Sequence, residues 1–243
     1  MDLHPHDIHL GEKIGKGNFG TVYKAVVRNM DVAVKVINAE HVNAKAVSAF
    51  RGEIELMRKL AHPHCVLYMG AVDDANERLM IVTELLEEDL ESLLKQRGRS
   101  LALLMRMRMA RDAALGLAWL HGADPIVLHR DIKLSNLMVD QHLTVKLCDF
   151  GLSQIRKRGE VLYDGPRGAV GTPLYMSPEV LDGAEVTEKS DVYALGLVIW
   201  CLLNGTGVAP FRELDDLSND SFADEIAEGY RPKIDTEAPV AVA

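Results

Sequence analysis

The order of strand-like and helix-like segments is the property that most limits how this chain can fold. Apolar and β-branched runs fill the first third, where only residues 44–60 have helical spacing, and helical spacing dominates after residue 88. The predicted strands are "IHLGEKIGKG", "GTVYKAVV", "DVAVKVIN", "CVLYMGAV" and "RLMIVTELL", with short ones near 137–139 and 143–147, and the later helices are 89–96, 100–121, 189–204 and 219–229. This order predicts an α+β protein with two lobes and a boundary near 84–88.

Composition narrows the class of protein further. The chain has 243 residues, 48% of them hydrophobic and 26% charged, which is typical of one large globular domain or two small lobes. Its net charge of −9 disfavours sequence-independent binding to nucleic acid or anionic lipid. The longest apolar run, residues 192–203, is shorter than the roughly 20 residues of a membrane span, so it predicts a buried helix.

The cysteines and the N-terminal segment bear on the cellular compartment. Cys65, Cys148 and Cys201 are too few and too widely spaced for a disulfide framework or a zinc site. The segment "MDLHPHDIHL" lacks the apolar core of a signal peptide. We therefore expect a cytoplasmic protein without a membrane span.

A glycine-rich turn, "GKGNFGTV", separates the first two predicted strands. Gly15, Gly17 and Gly20 would let the backbone approach phosphate oxygens without an intervening Cβ. An ordinary hairpin turn is the alternative. The dinucleotide-binding motif is excluded because it requires a helix after the glycines, whereas a strand follows here.

Lys35 and Glu53 are each surrounded by apolar residues. Lys35 lies in the middle of the strand "VAVKVI", and a buried lysine must be paired or neutralised. Glu53 lies on the apolar face of the helix over 44–60, without a cation of its own helix beside it. An edge-strand lysine reaching water is the alternative, but the two unpaired charges together predict a Lys35–Glu53 ion pair.

The segment "HRDIKLSN", residues 129–136, and the segment "CDFG" hold a set of residues suited to phosphate chemistry. Asn136 and Asp149 offer the oxygen ligands that Mg²⁺ prefers. Asp131 is a candidate to accept a proton from a hydroxyl, and Lys133 is a candidate to neutralise charge on a phosphoryl group. Two polar turns without chemistry are the alternative, which the glycine-rich turn and the Lys35–Glu53 pair disfavour.

With these motifs in order, the chain resembles a eukaryotic-type protein kinase domain. The motifs are "GKGNFGTV", "VAVK", Glu53, "HRDIKLSN", "DFG", "SPE" and "SDVYALG", and the resemblance covers residues 8 to 235. Lys133, two residues after Asp131, is typical of the Ser/Thr type. The segments "HPHCVLYMGA", "GTPLYMSPE" and "SDVYALGLVIW" are similar to the tyrosine-kinase-like group of Ser/Thr kinases.

The resemblance implies a bilobal fold, with residues 1–86 as the N-lobe and 87–243 as the C-lobe, and a site for Mg²⁺ and ATP. Gly15, Gly17 and Gly20 would cover the ATP phosphates, and Lys35 would contact the α- and β-phosphates. The other implied nucleotide contacts are Ile14 beside the glycines, Val22, Ala33 and Met138 around adenine, Thr83 as gatekeeper, Glu84 and Leu86 through their backbone, and Asp89 at the ribose.

The resemblance also implies roles in the reaction. Asp131 would be the catalytic base, supported by Lys133, and Asn136 and Asp149 would bind magnesium. Thr172 would pack near Asp131 and Lys133, and Asp191 would hold the backbone of the catalytic loop. A stack of side chains typical of the active state would contain Met57, Tyr68, His129 and Phe150.

The chain departs from the family pattern in three places, one of which is the segment "TELLEEDL", one residue shorter than many hinges. It ends before the last C-lobe helices, so we expect a truncated domain in which the buried carboxylate of Glu179 lacks its usual arginine, at about 3–5 kcal/mol. The usual activation-loop phosphosite is Gly168, which has no hydroxyl, so Ser153, Tyr163 or neither would be phosphorylated.

The sequence therefore predicts an ATP-dependent Ser/Thr kinase that acts on a protein substrate in intracellular signalling, with an upstream activating kinase as a further partner. A pseudokinase or scaffold that binds nucleotide or a partner is one alternative. A small-molecule kinase of related fold is the other, and "GTPLYMSPE" disfavours it.

Overall fold

The computed structural model describes residues 3–16, 20–37, 44–74, 78–157, 160, 162–163, 171–214 and 216–233. The chain divides into two compact units, Met1–Glu87 and Glu88–Ala243. Within the described residues, the first unit contains a five-stranded antiparallel sheet and one α-helix, and the second is mostly helical. This arrangement agrees with the predicted α+β fold class.

The sheet of the first unit has the strand order β1-β2-β3-β5-β4. Its strands are β1 (Ile8–Lys16), β2 (Gly20–Val27), β3 (Met30–Ile37), β4 (Tyr68–Asp74) and β5 (Arg78–Glu84). Val32 and Val34 of β3 are fully buried on one face. Because side chains alternate along a strand, Ala33 and Lys35 project from the opposite face.

Helix α1 (Ala44–Met57) packs its apolar side chains inside the first unit. Phe50, Ile54 and Met57 are buried at intervals of three and four residues, as an amphipathic helix requires. The helix ends three residues before the predicted boundary at 60, because Lys59 N and Leu60 N donate to carbonyls only three residues back and tighten the last turn.

The second unit is built around α3 (Leu103–His121) and α5 (Glu188–Asn204), which contact each other. Met109, Ala113 and Leu120 of α3, and Val198 and Leu202 of α5, are fully buried. Helix α5 contains the apolar run 192–203, which confirms the predicted buried helix. Helix α3 begins after the predicted residue 100, because residues 98–100 form a 3-10 turn that starts at Gly98 with a positive φ of 46°.

The remaining elements of the second unit are short and border its loops. They are β6 (Glu88–Asp89), α2 (Leu90–Arg97), β7 (Ile126–Leu128), β8 (Leu137–Val139), β9 (Val145–Leu147), β10 (Gln154–Arg156), β11 (Leu162–Tyr163), α4 (Pro178–Leu181), β12 (Glu185–Val186) and α6 (Asn219–Ala227). The strands among them form three small sheets, β6-β8-β9, β10-β7 and β11-β12. Among the described helices, none is both long enough and apolar enough to span a bilayer.

Arg106 joins the start of α3 to the end of α5. Its Nη1 donates to Leu202 O at 2.9 Å and to Leu203 O at 2.6 Å, and its Nε donates to Leu101 O at 3.2 Å. The last carbonyls of a helix lack partners in the helix and carry partial negative charge. The guanidinium therefore caps α5 with a charge-assisted interaction.

We expect Arg106→Ala to lower the free energy of unfolding by about 1.5–3 kcal/mol, because it removes a charged donor from three carbonyls. Arg108→Ala, two residues away on the exposed side of α3, is the matched control and should change it by less than about 0.5 kcal/mol. Urea unfolding of both variants measures the difference. Equal effects would show that Arg106 does not cap α5.

Candidate active site

The Lys35–Glu53 ion pair is present in the first unit, as predicted. Lys35 Nζ lies 3.1 Å from Glu53 Oε1 and 3.5 Å from Oε2. The exposed fractions of the two side chains are 21% and 8%. Strand β3 presents the lysine and the buried side of α1 presents the glutamate. The pair therefore holds the Lys35 amine beside the Glu53 carboxylate on this face of the sheet.

Residues predicted to contact a nucleotide lie on the same sheet face as Lys35. Val22 is directly opposite Lys35 in the β2–β3 register, and Ala33 is directly opposite Thr83 in the β3–β5 register. Directly opposed residues of antiparallel strands project to the same face. Ile14 of β1 is exposed, and Gly17 lies outside the described residues.

The end of β5 is held by backbone and side-chain hydrogen bonds. Glu84 N donates to Leu67 O at 3.0 Å, and the Glu84 carboxylate accepts from Leu67 N at 2.8 Å. Leu86 is buried within the first unit. In the second unit, Asp89 pairs with Met138 in the β6–β8 register, and its carboxylate caps α2 by accepting from Ser92 N and Oγ at 2.9 and 2.8 Å.

Gly20 begins β2 where the chain passes very close to β3. A Cβ at Gly20 would lie 2.4 Å from Val36 O, a backbone atom that cannot turn away, whereas a Cβ at Gly15 would meet only Val22 side-chain atoms at 3.6 and 3.8 Å. Of Gly15 and Gly20, it is therefore Gly20 that is required to lack a side chain for steric reasons.

We expect Gly20→Ala to lower the free energy of unfolding by about 1–3 kcal/mol through this overlap. The matched variant Gly15→Ala should change it by less than about 0.5 kcal/mol, since its contacts are ordinary. Thermal unfolding followed by circular dichroism compares the two variants. A Gly15→Ala loss as large as that of Gly20→Ala would contradict the steric explanation.

Asp131 is the centre of a hydrogen-bonded cluster in the second unit. Its Oδ1 accepts from Thr172 Oγ1 at 2.9 Å, and its Oδ2 accepts from Asn136 Nδ2 at 2.7 Å and lies 2.9 Å from Lys133 Nζ. Lys133 Nζ also donates to Thr172 Oγ1 at 2.7 Å. The structure thus brings Thr172 to Asp131 and Lys133, as predicted, and holds a nearly buried carboxylate in one orientation.

Asn136 is positioned as an oxygen ligand. Its Nδ2 donates to Asp131 O at 2.8 Å as well as to Asp131 Oδ2, so both amide hydrogens are used and Oδ1 points away from them. Asn136 O accepts from Cys148 N at 2.9 Å, which brings the exposed Asp149 next to Asn136 at the ends of β8 and β9. An amide oxygen beside an exposed carboxylate fits a magnesium site.

Asp191 of α5 holds the backbone of the loop that contains Asp131, as predicted. Its carboxylate is 3% exposed and accepts from His129 N and Arg130 N, each at 2.8 Å. Arg130 has a positive φ of 68°, which is unfavourable for a residue with a side chain. The two hydrogen bonds offset this strain and fix the position of the next residue, Asp131.

His129 is a packed core histidine. It is fully buried, its Nε2 lies 3.0 Å from Cys148 O, and its ring lies 5.3 Å from the ring of Phe150. Of the predicted stack, His129 and Phe150 thus meet within the second unit. Met57 and Tyr68 belong to the first unit, where Met57 is buried and Tyr68 is half-buried.

The sequence did not predict the contacts of His121 and Arg156 with residues of β12 and α5. His121 Nε2 lies 2.9 Å from Asp191 Oδ2, and Arg156 forms ion pairs with Glu185 at 3.3 Å and with Glu188. Burial opposes ionisation of Glu188, but hydrogen bonds from its own backbone amide and from Arg156 hold its pKa below the ordinary value. The partners lie 29 to 70 residues apart, so local sequence carried no signal for them.

The surroundings of Glu179 and of the candidate phosphosites are only partly described. Glu179 is half-buried and accepts from Ser190 Oγ at 3.3 Å, so the expectation of a buried carboxylate is wrong for this structure, because the carboxylate keeps access to water and a hydroxyl donor. Gly168 and the Tyr163 side chain lie outside the described residues. Ser153 is half-buried, and its Oγ donates to His129 O at 3.3 Å.

Comparison with known proteins identifies a family. The family model described as "Protein kinase domain" matches residues 8–239. The chain is 50% identical over 227 residues to the dual specificity protein kinase shkA of Dictyostelium discoideum, covering 93% of this chain and 42% of that protein. It is 42% identical over 203 residues to the serine/threonine-protein kinase CTR1 of Arabidopsis thaliana, covering 82% and 24%. The chain thus spans less than half the length of these relatives. The match to the family model confirms the resemblance predicted from the motifs.

Proposed function

Because the chain belongs to the protein kinase domain family, we propose that it transfers the γ-phosphoryl group of ATP to serine and threonine hydroxyls of protein substrates. The observation that carries this proposal is the Asp131 cluster. It combines a carboxylate acceptor, an adjacent ammonium and an amide oxygen in one loop, next to the exposed carboxylate of Asp149.

The chemistry assigned to Asp131 is proton acceptance. As the substrate oxygen forms its bond to the γ-phosphorus and the bond from the γ-phosphorus to the bridging oxygen of ADP breaks, the hydroxyl proton passes to the Asp131 carboxylate. Thr172 and Asn136 hold that carboxylate in place. Lys133 Nζ, which contacts Asp131 and Thr172, supplies positive charge near the transferred group.

The nucleotide and its metal are assigned to residues of both units. We assign the phosphates to the backbone at Gly15, Gly17 and Gly20 and to Lys35, whose amine the Glu53 ion pair keeps charged. We assign Mg²⁺ to Asn136 and Asp149, where it would neutralise phosphate charge.

The remaining nucleotide contacts are assigned to Ile14, Val22, Ala33, Thr83, Glu84, Leu86, Asp89 and Met138. The Asp89 carboxylate already caps α2, so a ribose contact there would share it with Ser92.

A second candidate activity is phosphorylation of tyrosine as well. The relatives with 50% and 48% identity, shkA and shkC of Dictyostelium discoideum, are named dual specificity protein kinases. Lys133 next to Asp131 favours the Ser/Thr type, so we expect phosphoserine and phosphothreonine to predominate. We further propose a cytoplasmic location, consistent with three cysteines outside disulfides, and control by an upstream kinase.

A phosphoryl-transfer assay with [γ-³²P]ATP and a generic protein substrate tests the proposal, followed by phosphoamino-acid analysis. We expect transfer by the wild type, a loss of at least about 100-fold in Asp149→Asn, and no loss in the control Asp182→Asn, whose side chain is exposed. Nucleotide binding without transfer would support a scaffold instead. Turnover of ATP without labelling of any protein would support a small-molecule kinase.

A further inference from the structure

An ion pair between α1 and β4 lies outside the set of residues assigned to the site. Arg51 Nε donates to Asp73 Oδ2 at 2.7 Å, and Arg51 Nη2 donates to Asp73 Oδ1 at 3.2 Å. Two parallel hydrogen bonds fix the plane of the guanidinium against the plane of the carboxylate. The pair therefore attaches one side of α1 to β4 in a defined direction.

Arg51 makes this contact although its own helix offers an acidic residue. Glu55 follows Arg51 by four residues, which is a spacing at which opposite charges pair on a helix. The Glu55 carboxylate instead accepts from Arg58 Nη1 at 3.2 Å. Arg51 thus reaches from the helix to the sheet.

Asp73 projects from the sheet face that carries Lys35. Lys35 is directly opposite Ile81 in the β3–β5 register, and Ile81 is directly opposite Ala71 in the β4–β5 register. Directly opposed residues share a face, and so do residues two positions apart on one strand. Asp73, two residues after Ala71, therefore lies on the same face as Lys35, and β5 separates their two strands.

Helix α1 is consequently held to this face by directional contacts with two different strands. Glu53 contacts Lys35 of β3, and Arg51, about 200° away around the helix, contacts Asp73 of β4. The buried side chain of Phe50 also packs inside the unit, but apolar burial has no preferred direction. A rotation of α1 that withdraws Glu53 from Lys35 would also separate Arg51 from Asp73.

Exposure to solvent limits the strength of this pair. The side chains of Arg51 and Asp73 are 58% and 37% exposed, and exposed ion pairs contribute little unless their geometry is as favourable as the bidentate geometry here. A small contribution is sufficient for positioning. A change of roughly fivefold in the ratio of two helix orientations can change the fraction of molecules competent to bind nucleotide by up to the same factor.

We propose that Arg51 and Asp73 are positioning residues that hold α1 in the orientation in which Glu53 meets Lys35. They set the fraction of molecules whose Lys35 amine is in place for the nucleotide phosphates. This inference rests on the proposed function, in which Lys35 contacts those phosphates, and it adds to that function two residues that do not touch the reactants.

Charge reversal and a charge swap test the proposal. Arg51→Asp makes two carboxylates face each other, and Asp73→Arg makes two guanidinium groups face each other. Each single variant should lower kcat/KM for ATP by roughly threefold to tenfold in transfer to a generic protein. The swap Arg51→Asp/Asp73→Arg restores opposite charges and should return kcat/KM to within roughly twofold of the wild type.

The control Lys59→Asp makes the same charge change at an exposed residue just after the end of α1 and should leave kcat/KM within roughly twofold. Circular dichroism reports whether each variant is folded. Should one of the two single variants not fold, the other decides. Equal losses in Lys59→Asp and Arg51→Asp, or a swap that recovers nothing, would overturn the proposal.

The background Glu53→Gln separates positioning from a general loss of stability. Without the Glu53 carboxylate, the Arg51–Asp73 pair has no ion pair to position. Adding Arg51→Asp to Glu53→Gln should therefore lower kcat/KM by less than roughly twofold further. A further loss as large as that in the wild-type background would show that Arg51 does not act through Glu53.

Hydrogen exchange of the α1 amides distinguishes a failure of this inference from a failure of the proposed function. Protection of α1 should fall in Arg51→Asp and recover in the swap, whether or not the chain transfers phosphate. Absence of transfer by the wild type would contradict the proposed function, and the exchange of α1 would then decide this inference. A wild type that transfers phosphate, together with an Arg51→Asp variant of unchanged rate and unchanged protection, would overturn this inference alone.

Discussion

Asp131→Asn is expected to lower the rate constant of phosphoryl transfer by about 10²–10⁴-fold, because an amide cannot accept the hydroxyl proton. The substitution keeps the size of the side chain and leaves an oxygen that can accept from Thr172 Oγ1. Lys133 Nζ loses its carboxylate partner but keeps its hydrogen bond to Thr172. The loss should therefore appear in kcat with little change in the KM for ATP.

Single-turnover kinetics with excess enzyme measure this loss directly, since they isolate the transfer step from product release. The control is Asp182→Asn, the same change at an exposed residue of the second unit, which should retain the wild-type rate. Unfolding in urea reports whether Asp131→Asn remains folded. A folded Asp131→Asn protein that transfers phosphate within threefold of the wild type would rule out Asp131 as the base.

Asp191→Asn should lower the free energy of unfolding by about 2–5 kcal/mol. The carboxylate is buried and accepts two backbone N–H groups and the His121 ring nitrogen. An amide turns one of these acceptors into a donor that faces another donor, and it removes the negative charge that stabilises all three bonds. Since Arg130 keeps its positive φ only with these bonds in place, transfer activity should fall as well.

Asp224→Asn, an exposed residue of α6, is the matched control and should change the free energy of unfolding by less than about 0.5 kcal/mol. Hydrogen exchange adds a local readout, because the His129 and Arg130 amides donate to Asp191 and should lose protection in Asp191→Asn. Unchanged stability together with unchanged protection would show that Asp191 does not hold the loop.

Burial patterns let the sequence predict the parts of the site that depend on local surroundings. Lys35 and Glu53 each stood among apolar neighbours, and the cost of burying an unpaired charge was enough to predict their pairing. The buried helix α5 was predictable from its long apolar run, residues 192–203. The contacts of Thr172 and Asp191 with the Asp131 loop, by contrast, were expected only from the resemblance to a family.

Other features could not be predicted from the sequence alone. Strands of two or three residues, such as β6 and β12, show too little periodicity to be recognised. The start of α3 was predicted too early because positive φ at Gly98 is not visible in the hydrophobic pattern. His121 and Arg106 contact α5 across 70 to 97 residues of sequence, and nothing near them in the chain indicates those partners.

Diffraction from crystals grown with Mn²⁺ and a non-hydrolysable ATP analogue is the most direct test of the central claim, that Asn136 and Asp149 hold the metal of a bound nucleotide beside Asp131. Mn²⁺ prefers the same oxygen ligands as Mg²⁺ and is located by its anomalous scattering. We expect an anomalous peak bonded by Asn136 Oδ1 and an Asp149 carboxylate oxygen, with the analogue's phosphates on the metal. Bound analogue with its metal away from both residues would contradict it.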